Sequence, residues 1–92
     1  MSLDLSHKQL LQQIQSVKTL ADNYNAAYTK LKASAASSRA YAAQAKAEFQ
    51  QAGSAYLAEL NTQLTNANGN APLKDALSHE IALVKKINSE NL

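Results

Sequence analysis

The chain has no cysteine and no tryptophan, a single proline and only two glycines in 92 residues, and each scarcity removes a class of protein. Without thiols there is no disulfide framework, no thiolate zinc site and no cysteine nucleophile; the compartment stays undecided, because many secreted Gram-positive proteins also lack cysteine. Long apolar runs are missing as well. The stretch from Met1 to Leu11 mixes Asp4, His7 and Lys8 among its leucines, so it has no continuous apolar core of a signal peptide, and no later segment approaches the length that spans a bilayer. The expectation is a soluble, cytoplasmic protein without a transmembrane segment, with export by a route that needs no cleavable signal left open.

Charge is sparse too, and unevenly spread. Residues 1–47 hold Lys8, Lys18, Lys30, Lys32, Arg39 and Lys46 against Asp4 and Asp22, a balance of +4. Residues 48–92 hold Lys74, Lys85 and Lys86 against Glu48, Glu59, Asp75, Glu80 and Glu90, a balance of −2. Opposed halves suit antiparallel packing within the chain or head-to-tail contact between chains, while scattered charges solvating a bundle explain the same figures.

What the sequence has is helical periodicity. Leu10, Ile14, Val17, Ala21, Tyr24, Tyr28, Leu31 and Ala35 recur at alternating spacings of four and three, the period that keeps one face of an α-helix against a partner helix. Ser6 and Gln9 form a capping box, flanked by Leu5 and Leu10 as a hydrophobic staple, which predicts a first helix from about Ser6 to Ala33. The serines of Ser34 to Ser38 predict the first turn, with Asp22 as the alternative break. A second helix is expected over Ser38 to Asn66. Its stripe of Ala42, Ala45, Phe49, Ala52 and Tyr56 slips to Leu57, Leu60 and Leu64, and Gly53 at the slip predicts a kink or a break. The run Asn66 to Pro72 is a turn, with Gly69 suited to the left-handed position and Pro72 to the first turn of a further helix. This third helix, over Pro72 to Ser89, carries Leu73, Leu77, Ile81, Val84 and Ile87, with Asp75 and Lys85-Lys86 placed to complement its dipole.

The fold class is therefore all-α: one domain over residues 1–92, a small antiparallel bundle of three helices, or four if the chain breaks at Gly53 or Asp22. The two long helices would each reach about 40 Å, with the third lying along both and leaving part of their seam open to a partner.

Nothing in the sequence assembles a reaction centre. His79-Glu80 begins as a zinc-protease helix does, but the position of the second histidine is Leu83, so no metal site and no cofactor are expected. Glu48, Glu59 and Glu80 stand on separate turns with no pocket to pair them for acid and base work, which argues against an enzyme. Lys30, Lys32, Arg39 and Lys46, with Tyr28 and Tyr41 nearby, form a basic ridge too thin for the usual electrostatic footprint of nucleic-acid binding. The more specific feature is alanine. Ala33, Ala36, Ala40, Ala43 and Ala47 follow one helical line and Ala35, Ala42 and Ala45 another, so a neighbouring helix could approach closely, or one strip could simply pack inside the bundle. The candidate partner-binding residues are Tyr28, Ala36, Ala40, Tyr41, Ala43 and Ala47, and a second copy of the chain is the simplest partner.

In length and in the position of the turn at Ser34 to Ser38, the chain resembles the small helical-hairpin substrates of type VII secretion, but it lacks their Trp-x-Gly signature and adds a third helix. The run from Ala45-Lys46-Ala47 through Leu57, Leu60 and Leu64 to Pro72-Leu73 is similar in outline to the second half of the bacteriocin immunity proteins of the enterocin A class, without their loops between early helices. Neither family is matched by a motif. Three functions are expected: a non-catalytic assembly partner of the kind that serves a secretion system, an immunity protein, and a weak nucleic-acid binder.

Overall fold

The computed structural model describes residues 9–91, and over them the protein is an all-α bundle. A short helical stretch, 9–12, leads into three long helices: α1 (Gln15–Ala33), α2 (Arg39–Asn66) and α3 (Ala71–Asn91). The capping box at Ser6 lies outside the described residues.

The first helix does not run unbroken. The amides of Gln13 and Ile14 turn back to the carbonyls of Leu10 and Leu11 at 3.3 and 3.1 Å, the tightened pattern that ends a helix. Ile14 then takes an extended conformation (φ −96°, ψ 107°) and its carbonyl accepts from Lys18 at the start of α1. This break lets Leu11 rather than Leu10 bury itself beside Val17. As a result α1 is 19 residues, about 28 Å at a rise of about 1.5 Å per residue, and falls short of the expected 40 Å. The helix is continuous through Asp22.

At the other end the expected turn is present. A 3₁₀ turn, Ser34–Ala36, ends in extended Ser37, and Ser38 opens α2 by accepting the Tyr41 amide on its hydroxyl at 3.2 Å. The tighter turn shifts the phase, so Ser34 is buried and Ala35 exposed, the reverse of the stripe drawn from sequence. Ser34 satisfies its hydroxyl by donating to the Leu31 carbonyl at 2.6 Å.

Helix α2 is 28 residues without interruption, about 42 Å, and does not break at Gly53. Gly53 belongs instead to the buried stripe, Ala45, Phe49, Gly53, Tyr56 and Leu60, where a Cβ would meet the Asn88 amide of α3 at 3.0 Å. The hinge read from sequence is a point of close helix contact. Gly69 adopts φ +87° as expected, and Asn70 caps α3 by accepting the Leu73 amide at 3.3 Å. Asp75 and the Lys85-Lys86 pair stand inward of the terminal turns of α3, because the helix extends to Asn91.

The helices run up, down and up. Helix α1 lies antiparallel to α2 through Tyr24 stacked on Phe49 (5.1 Å between centroids), Tyr28 tilted on Phe49 (5.8 Å) and a Ser16 to Glu59 hydrogen bond of 2.7 Å near the far end. Helix α3 packs back along the second half of α2, burying Ala76, Leu77, Ile81 and Val84. It does not lie along both partners as expected: no Cα of α3 comes within 8 Å of one in α1, and the two meet through side chains, Tyr24 to Asn88 at 2.7 Å and Lys32 to Asn91 at 2.9 Å.

Candidate interaction surfaces

The arrangement leaves two surfaces, one on α2 alone and one between α1 and α3. On α2, three or four residues separate Ala40, Ala43 and Ala47, so their methyls line the side opposite the buried stripe, and all three are exposed. The second strip splits: Ala45 is buried and Ala42 half-buried on the inner side, while Ala35 is exposed. Ala36 is exposed in the 3₁₀ turn.

The two tyrosines of the candidate set lie away from the exposed alanine line: Tyr28 packs on Phe49 of the buried stripe, and Tyr41 stands beside Lys30 of α1. Tyr41 is 38% exposed with the Lys30 ammonium 5.4 Å from its ring centroid, and Tyr28 is half-buried with Lys32 5.2 Å from its own. Lys30 also binds Glu48 at 2.9 Å, and that hydrogen bond holds the Glu48 carboxyl below and the Lys30 ammonium above their usual ranges. Of the expected basic ridge, then, Lys30 and Lys32 are engaged within the chain, and Arg39 and Lys46 are exposed.

The second surface was not legible as a site. Where α1 and α3 stand apart, a groove of about 320 Å³ opens over the α2 residue Tyr56. Val17, Ala21 and Tyr24 supply one wall and Leu83, Val84 and Ile87 the other; Leu83 is 43% exposed at the lip. Lys18 and Asp22 pair at 3.1 Å on the rim. Glu80 lines the groove, and its carboxylate accepts the Tyr56 hydroxyl at 2.6 Å. Burial, reinforced by this carboxylate, raises the Tyr24 hydroxyl to about 12 and the Tyr56 hydroxyl further still. Glu48 and Glu59 do not line this groove, and Glu59 is drawn down by hydrogen bonds from Gln63 and Ser16. The available signal was Glu80, Leu83 and Ile87 at spacings of three and four, a line on α3 beside the buried Val84.

Among the described residues no three metal-ligating side chains gather, and no helix is long and apolar enough to cross a membrane. The fold defines a small all-α helical bundle. The chain matches no protein-family model, no curated protein and no solved structure.

Proposed function

We propose that the protein is a non-catalytic helical module that works by associating with another protein helix through the outer face of α2, and that a second copy of the chain is the partner. The observation that carries this reading is the exposure of Ala40, Ala43 and Ala47 at one-turn intervals on a side that neither α1 nor α3 covers. Small side chains let helix backbones approach closely, and an isologous pairing would set the ridge of one copy against the same ridge of the next. Arg39 and Lys46 flank the ridge, so an acidic helix is the alternative partner.

Sedimentation of the purified chain tests it. Self-association that Ala40→Glu and Ala43→Glu each abolish, with helicity by circular dichroism unchanged, supports the ridge. If each variant leaves both self-association and partner capture as they were, the ridge has no role. The same preparations, mixed at low salt with duplex or single-stranded DNA or RNA, decide the nucleic-acid reading: binding there would weaken steeply with added salt and with loss of Arg39 and Lys46.

A further inference from the structure

We propose that the groove between α1 and α3 is a binding site for a small amphiphilic organic cation, a primary amine on an apolar body. Three observations carry it. The first is charge. The ion pairs among the described residues are Lys18 with Asp22 and Lys30 with Glu48, so no described cation lies within pairing distance of Glu80. With Lys18 and Asp22 cancelling on the rim, the charged groups among the described residues that line the groove leave one negative charge, on the carboxylate beside Tyr56. That carboxylate accepts the hydroxyl of Tyr56 at the floor and adds to the burial that raises the Tyr24 hydroxyl on the wall.

The second observation is lining. Val17 and Ala21 face Leu83, Val84 and Ile87 across the groove, while Gln12, Lys18, Asp22 and Asn25 add polar groups to its lining, and a concavity with apolar side chains and a few convergent polar groups orients a ligand by its charged end. An ammonium donates to the Glu80 carboxylate oxygens, and its alkyl or aryl body covers the partly exposed Leu83.

The third is size, which decides between a small molecule and a partner helix. Glu80 to Ile87 spans about 10 Å along α3 at about 1.5 Å per residue, and the hydrogen bond from Tyr24 to Asn88 crosses between α1 and α3 just beyond Ile87. A docked helix needs a longer open trough. The volume of about 320 Å³ is at the lower end for small-molecule sites, which start at about 300 Å³.

The site is separate from the α2 ridge, so its test is independent of self-association. Hexylamine, hexan-1-ol and hexanoate are titrated into the isotopically labelled chain, and amide shifts are followed by nuclear magnetic resonance. Hexylammonium should produce saturable shifts confined to the neighbourhoods of Val17 to Asp22 and Glu80 to Ile87, the alcohol should bind at least about tenfold more weakly, and hexanoate should leave these amides unmoved. Glu80→Gln keeps an acceptor for the Tyr56 hydroxyl and should lower hexylammonium affinity about tenfold. Leu83→Arg, at a partly exposed position, provides a second check by placing a competing cation at the lip, and should lower it too. Equal affinity for amine and alcohol, binding unchanged in both variants, or shifts lying elsewhere would overturn the proposal. So would a dimer that Leu83→Arg dissociates, because a second copy would then occupy the groove.

Discussion

Gly53 shows how one residue type serves opposite ends. Glycine in a helix interior costs about 1 kcal/mol relative to alanine, yet the methyl that would recover this cost meets both terminal atoms of Asn88 at 3.0 Å. Asn88 cannot yield without disturbing its hydrogen bond from Tyr24. Gly53→Ala should therefore destabilise the protein by about 1 kcal/mol in urea denaturation, whereas in an Asn88→Ala background the same change should stabilise by a similar amount, a double-mutant cycle with a change of sign. Tyr24 and Tyr56 carry a pH dependence whose sign follows from burial. Each hydroxyl is raised in the folded state, so the neutral form is favoured there, and the stabilisation is fully present below the ordinary tyrosine value of 10.0 and is lost as pH climbs through about 12 for Tyr24. Circular dichroism should show a flat response to near pH 10 and then a loss of structure. Tyr56→Phe should flatten that loss.

At the scale of elements, boundaries marked by side-chain chemistry were legible and those set by packing were not. Ser38 and Gly69 do locally what their side chains permit, a hydroxyl accepting an amide and a backbone at positive φ, so each could be placed from sequence. Ser38→Ala should cost about 1 kcal/mol through the lost cap. Gly69→Ala should also cost about 1 kcal/mol, and because no atom lies within 4 Å of the new Cβ, the cost is conformational and Gly69→Asn should cost less. The break at Gln13 and Ile14 carried no such mark, since neither residue disfavours a helix strongly; it follows from Leu11 turning into the core, a tertiary event. Gly53 offered a break for the same reason: its propensity disfavours a helix interior, and only the arrival of α3 explains its place in an unbroken one. The groove is a product of α1 and α3 standing apart, which no pattern within either helix encodes. The alanine ridge could be drawn from spacing alone, although which of its two lines faced outward required the phase of Ala45 and Phe49 in the core.

For the molecule as a whole, α2 is the element on which the other two depend. Its Phe49 is fully buried and touches both Tyr24 and Tyr28, so Phe49→Ala should cost about 3–5 kcal/mol. A chain of this size has about 5–14 kcal/mol in all, and thermal melting should accordingly show a loss of tens of degrees or no folded baseline. Three helices alternating in direction also fix how the bundle carries load. Helices α1 and α3 run the same way, so the start of α1 and the end of α3 face opposite ends of the bundle, whereas the start of α1 and the end of α2 face the same end. Tension between Gln15 and Asn91 acts along the helix axes, so the packed faces must slide past one another together. Tension between Gln15 and Asn66 peels α1 from α2 one turn at a time. The same fold is thus stiff in one pulling direction and compliant in the other, and a single-molecule experiment with attachment at these two pairs of residues should find the higher rupture force for the first.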